Sequence, residues 1–178
     1  MTPDKFCAEI IDPGLERLFR LAGLPPVSAA ARAMMLAIAL QESGPALAAR
    51  YQNSPAASPG PARGFWQFEQ GGGVLGVLNH AASRTAAALL CDECEVVNQS
   101  AAVWRAVEGY DFLACGFARL LLWTDPAALP APVVASEQVA WNYYLRLWRP
   151  GKPHPETWPR NWATATAPAV PAGRAGDA

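Results

Sequence analysis

Apolar residues recur along the chain at helical spacing and almost no segment alternates with a period of two, which predicts a mainly α fold. Phe6, Ile10, Leu15, Leu18 and Leu21 mark a first helix or helix pair, broken near Asp12-Pro13-Gly14 and stopped by Gly23 and Pro25-Pro26. Ser28 then caps a helix that runs to about Glu42, because a serine oxygen can accept from the free N–H groups of a first turn. Residues 44–63 hold Pro45, Pro55, Pro59, Gly60 and Pro61 with too few apolar anchors for a helix. This is a long Pro/Ser/Gly-rich loop, and any small β element belongs within it or directly after it.

Gly71-Gly72-Gly73 separates that region from an Ala/Leu-rich helical stretch over residues 74–94, broken near His80. Further helices are predicted over residues 99–107, from Asp111 to about Trp123, and from Ser136-Glu137 to the stop at Arg149-Pro150-Gly151-Lys152-Pro153. From about Ala163 the Ala/Pro/Thr/Gly composition has almost nothing to bury. The expected organisation is one domain over residues 1–162 and a disordered tail over 163–178.

Composition narrows the choice of class. With 52% hydrophobic and 16% charged residues in 178, the chain can bury a sizeable single core. Fourteen basic and 15 acidic side chains leave a net charge of −1, unlike the one-sided basic surface that a phosphate backbone requires. Nucleic acid is therefore not an expected partner. The longest apolar run, within residues 29–41, is interrupted by Arg32 and falls short of the roughly 20 residues of a membrane span. Met1-Thr2-Pro3-Asp4-Lys5 leads into no apolar stretch with a small-residue cleavage site, so synthesis in the cytoplasm without a signal peptide is expected. Cys91 and Cys94 form a Cys-x-x-Cys, but no second ligand pair stands at zinc spacing from them, and Cys7 and Cys115 are isolated. Buried thiols, with no metal and no cofactor, are the expectation.

The residues that can carry chemistry lie in two blocks. Gln41-Glu42-Ser43-Gly44 places a carboxylate at the end of an apolar helix. Apolar surroundings disfavour the ionised form, so Glu42 can hold its proton near neutral pH and donate it to a leaving oxygen. The plainer alternative is a helix-terminal glutamate beside a capping glycine. The second block, Gly64-Phe65-Trp66-Gln67-Phe68-Glu69, brings an amide, Gln67, able to donate and accept toward an N-acetyl or hydroxyl group. Many glycosidases employ two carboxylates about 5 to 9.5 Å apart. No second acid is obvious, although Glu69 and Asp111 are available.

Together these blocks resemble the lysozyme-like superfamily of soluble lytic transglycosylases and goose-type lysozymes, in which a Glu-Ser pair precedes a segment of the type Gly-Leu-Met-Gln-Ile. The likeness covers residues 28–70 well and the remainder loosely. It implies a lysozyme-like domain that cleaves the β-1,4 bond of peptidoglycan between N-acetylmuramic acid and N-acetylglucosamine. In that reading Glu42 is the single acid and base, and the substrate's own N-acetyl group can serve as nucleophile to give a 1,6-anhydro sugar. Ser43 would hold the acid, and Phe65, Trp66 and Gln67 would line the sugar site. Phe65-Trp66 replaces the usual Leu-Met, so Trp66 either stacks on a sugar or fills the core. Asn142 and Tyr143 stand where the family carries a late Tyr-Asn element, in reversed order. Glu42, Gln67 and one of Tyr143 or Tyr144 should then share one pocket.

Trp148 to His154 is predicted to be a polar surface loop that closes over the cleft or meets a partner, and Trp158 and Trp162 beyond it are hard to place in a core. The resemblance, with no signal peptide, implies a phage or prophage lysin or a virion tail-associated protein acting at the cell wall. Two rivals stand beside it: a non-catalytic glycan-binding or structural tail protein on the same fold, and a helical adaptor that binds a partner through the 148–152 loop.

Overall fold

The computed structural model of the protein describes residues 1–25, 27–47 and 60–167. Across them the chain is mainly α with one two-stranded element, as the periodicity predicts. α1 (Pro3–Phe6) is capped by the Thr2 hydroxyl, which accepts from the Lys5 N–H. A π-helical turn (Cys7–Ile11) joins it without a break to α2 (Asp12–Ala22). At the expected break, Asp12-Pro13-Gly14, the chain instead changes helix type: the π-helical turn closes with the Asp12 N–H donating to the Cys7 carbonyl, and α2 continues with Pro13 in its first turn.

α3 (Ala29–Ser43) is the spine of the molecule. Its Ser28 cap accepts from the Ala31 N–H at 3.1 Å, and every residue from Ala33 to Leu40 is buried. Two short strands follow, β1 (Ala62–Arg63) and β2 (Phe68–Glu69), paired antiparallel with Ala62 opposite Glu69 and Arg63 opposite Phe68. The β element lies at the end of the proline-rich stretch, as expected; the body of that stretch, residues 48–59, lies outside the described residues. A π-helical turn (Gln70–Val74) leads to α4 (Leu75–Asn79), which ends at His80, and α5 (Arg84–Glu93) follows. Then come α6 (Ser100–Ala106), α7 (Asp111–Trp123), a 3-10 turn (Val134–Ser136), α8 (Glu137–Trp148) and α9 (Trp158–Thr166).

The last of these corrects the sequence reading. α9 continues beyond the boundary expected after residue 162 and buries Trp158, Asn161, Trp162 and Ala165. It packs along α3 more extensively than any other helix does. Trp158 and Trp162 are thus core residues, each with its indole N–H satisfied: Trp158 donates to the Glu137 carbonyl at 3.2 Å and Trp162 to that of Val133 at 3.0 Å. Residues 168–178, the greater part of the expected tail, lie outside the described residues.

The four cysteines are free and buried. Burial pushes the Cys7 and Cys91 thiols up to about 11, so as free thiols they are neutral and pack as small apolar groups. Among the described residues no single helix is long and apolar enough to cross a membrane.

Candidate active site

Glu42 occupies the last turn of α3, which ends at Ser43 and is followed by Gly44 in a left-handed backbone conformation, φ 76°. Two features of this placement disfavour its charged form. The body of α3 is buried, and the carbonyl end of a helix carries partial negative charge. The carboxyl is pushed up from an ordinary 4.5 to about 7, by burial first and by the Glu69 charge to a smaller degree. A hydrogen bond from the Tyr144 hydroxyl to Glu42 Oε1, at 2.7 Å, pulls the other way without cancelling the rise.

Facing Glu42 is the turn between the two strands. Gly64 has φ 72°, and a Cβ there would lie 2.4 Å from the Val107 carbonyl oxygen, so no side chain can replace its hydrogen without displacing backbone. Gln67 closes the turn, its N–H donating to the Gly64 carbonyl at 3.1 Å. Its side-chain Nε2 donates to the same oxygen at 2.7 Å, which fixes the amide while its Oε1 and second N–H remain as polar groups for a ligand.

The turn is fastened on two sides. Ser43 Oγ donates to the Phe65 carbonyl at 2.6 Å, and Trp66 Nε1 to that of Met35 at 2.9 Å, both tying it to α3. Trp148 Nε1 donates to the Trp66 carbonyl at 3.0 Å, tying it to α8. Arg63 secures the strand end. It pairs with Glu108 at 2.8 Å, lies over the Trp104 ring and donates to the Gly60 carbonyl.

Tyr144 reaches Glu42 from an aromatic layer. Its ring stacks on Trp158 with centroids 5.2 Å apart and planes at 13°, and Trp141 and Trp148 flank it. Burial and the neighbouring Glu42 push the phenol well above its usual range, so Tyr144 is a permanent hydrogen-bond donor to the carboxyl.

These elements enclose a cleft of about 1050 Å³. Glu42, Gln67 and Tyr144 line it together, with Glu69 from β2, the Gly71–Gly73 segment and the start of α4. Residues of the segment from Trp148 to His154 also line it, so the polar loop expected to close over the cleft or meet a partner forms part of its wall. Gln41, next to the candidate acid, holds that segment. Its Nε2 donates to the Pro153 and His154 carbonyls at 2.9 and 3.0 Å, while its Oε1 accepts from Thr157 and from Asn161 of α9.

Among the residues predicted for the site, Glu42 and Gln67 share the cleft; the others serve it from elsewhere or not at all. Ser43 is buried and donates to the Phe65 carbonyl of the turn. Phe65 and Trp66 are buried in the core, packed on Phe6 with centroids 4.9 and 5.6 Å away, so Trp66 is not a sugar platform. Asn142 is exposed and accepts from Gln138 at 3.0 Å. Tyr143 turns away to donate to the Leu122 carbonyl at 3.0 Å. Successive residues of a helix point about 100° apart, so only one of two adjacent tyrosines can face α3, and it is Tyr144. Asp111 opens α7, whose other end, at Leu121 and Thr124, touches the cleft; ten residues of helix put it roughly 15 Å away along the axis. Among the described residues Glu69 is the second carboxylate that lines the cleft.

The sequence reading missed Gln41 and, of the two tyrosines it offered for the pocket, singled out Tyr143, where the cleft holds Tyr144. The signal for Tyr144 was present: Trp141, Tyr144 and Trp148 recur at i, i+3 and i+7, one aromatic face. Gln41 left no such trace, since its partners lie more than 100 residues further on. Comparison with protein-family models, with curated proteins and with solved structures finds no match for this chain.

Proposed function

We propose that the protein is a peptidoglycan-cleaving glycosidase or lytic transglycosylase with a lysozyme-like arrangement, acting on the β-1,4 bond between N-acetylmuramic acid and N-acetylglucosamine. The observation that carries this reading is a carboxyl that keeps its proton near neutral pH while lining a cleft of about 1050 Å³. Tyr144 occupies Oε1 and fixes the carboxyl plane, which leaves Oε2 to hold the proton and pass it to the glycosidic oxygen as that bond breaks. The resulting carboxylate then serves as base, either toward a water molecule or toward the sugar's own hydroxyl. Gln67 supplies a fixed amide for an N-acetyl or hydroxyl group of the bound sugar. The two blocks of residues that resemble the lytic transglycosylases, Glu42-Ser43 and the turn from Gly64 to Phe68, meet at this one cleft. That is what the resemblance requires of them. Action at a cell wall, as a lysin or a virion component, follows from the same reading.

The test is mass analysis of purified peptidoglycan after incubation with the protein. Anhydro ends identify a transglycosylase and new reducing ends a hydrolase, in which case Glu69 becomes the residue to examine as activator of water. Intact strands at every pH between 5 and 8 would remove the enzymatic reading and leave a glycan-binding protein.

A further inference from the structure

The lining of the cleft carries charges that the cleavage step does not use. Arg146, Arg149 and Lys152 line it, and they are not equivalent. Arg146 is neutralised by Asp125, Nε to Oδ2 at 2.6 Å, and Asp125 is held below the usual carboxylate range by this pairing and by the Ala127 N–H. His154 faces Glu156 at 3.0 Å. Among the described residues Arg149 and Lys152 have no acidic partner, and both are exposed.

The strap that bears them is nevertheless fixed. Gln41 holds its far end through two carbonyls, and Trp148 Nε1 holds its near end on the catalytic turn. Arg149 itself has left-handed backbone, φ 48° and ψ 50°, and its Nε donates to the Arg146 carbonyl at 3.3 Å. An arginine held in this sparsely populated conformation at a cleft edge costs conformational energy that a glycine would not. With Glu42 protonated, Glu69 is the remaining carboxylate on the cleft surface against two uncompensated cations. A concave surface of that sign concentrates anions.

We propose that Arg149 and Lys152 form an anion subsite which makes the cleft select glycans bearing a carboxylate next to the scissile bond over neutral glycans. The inference rests on the glycan reading above and deepens it. A guanidinium fork can grip a carboxylate through two parallel hydrogen bonds, and an ammonium adds a mobile point charge. N-acetylmuramic acid offers such a group and N-acetylglucosamine does not: either the free lactyl carboxylate or, where a peptide extends it, the carboxylates of that stem.

Binding, measured by calorimetry on the Glu42→Gln protein, reads the subsite without turnover. The probes are muramic-acid-containing oligosaccharides, peptide-free in one arm and peptide-bearing in the other, each compared with the same oligosaccharide whose carboxylates are capped as methylamides. On the unaltered strap the carboxylate form of at least one arm should bind roughly tenfold to a hundredfold more tightly than its capped form, the scale of a hydrogen bond to a charged group. The arm that shows the preference identifies the source of the carboxylate. The ratio should shrink with added salt and fall toward one in Arg149→Asn/Lys152→Gln, in which asparagine retains a side chain that tolerates the left-handed backbone. Lys152→Gln alone, at an exposed position, should lose part of the preference with an unchanged melting temperature. A ratio near one on the unaltered strap, a full ratio in the double variant, or no binding in either arm overturns the subsite. Turnover of peptidoglycan by the wild-type protein is measured separately and decides the glycosidase reading by itself.

Discussion

At Glu42 desolvation and hydrogen bonding oppose one another, and desolvation prevails. The Tyr144 hydroxyl stabilises the carboxylate, yet the carboxyl still rises to about 7, since one hydrogen bond cannot replace the hydration lost at the end of a buried helix. Two expectations follow at this scale. Glu42→Gln keeps the size and the Tyr144 hydrogen bond but has no proton to transfer, so cleavage should fall by about 10²- to 10⁴-fold, as initial rates on peptidoglycan would show. Tyr144→Phe removes the contact that lowers the Glu42 pKa, so the alkaline limb of the rate profile should move to higher pH. A limb that stays in place or moves down would mean that the phenol does not act on Glu42.

Among the elements, the turn between β1 and β2 carries the most constraint. Its glycine is required twice, by its positive φ and by the Val107 carbonyl against it. Gly64→Ala should cost at least about 1–2 kcal/mol from the left-handed backbone alone. The displaced turn should also pull Gln67 from the cleft, reducing both the denaturation midpoint and sugar affinity. Helix periodicity made most of this architecture readable in advance: the cap at Ser28, the ends of α7 and the break at His80 follow from local chemistry that a sequence displays directly. α9 escaped because Pro150, Pro153, Pro155 and Pro159 crowd the polar-looking stretch at its start. Yet Trp158, Trp162 and Ala165 repeat at helical spacing, and Pro159 stands in a first turn where proline is welcome. At the site, Glu42 and Gln67 were legible from their own chemistry and motif. The roles of Gln41, Ser43, Trp66 and Tyr143 were not, because each depends on a partner supplied by a distant part of the chain.

For the molecule as a whole, stability and chemistry draw on the same burial. A carboxyl whose folded pKa is near 7 and whose unfolded value is near 4.5 binds its proton more tightly in the folded state. Its contribution is therefore fully present below about 4.5 and is lost as pH rises through 7, a difference of up to about 3 kcal/mol. Glu42→Gln should remove that slope and be more stable than the wild-type protein at pH 8, by denaturant titration, while being inactive. The opposite holds for the aromatic layer behind the site. Trp158 supports both the spine helix and the Tyr144 ring, so Trp158→Ala should destabilise the fold by about 3–5 kcal/mol at any pH, in the range measured for large-to-small core changes.

The most direct measurement is a titration of the isotopically labelled Glu42 carboxyl by NMR, set beside the pH profile of kcat/KM on peptidoglycan strands. General acid catalysis by Glu42 predicts that the carboxyl titrates near 7, that the alkaline limb of the profile falls at the same pH, and that both move upward together in Tyr144→Phe. A carboxyl that titrates near 4.5, or an alkaline limb that is indifferent to it, would contradict the assignment of Glu42 as the acid of this cleft.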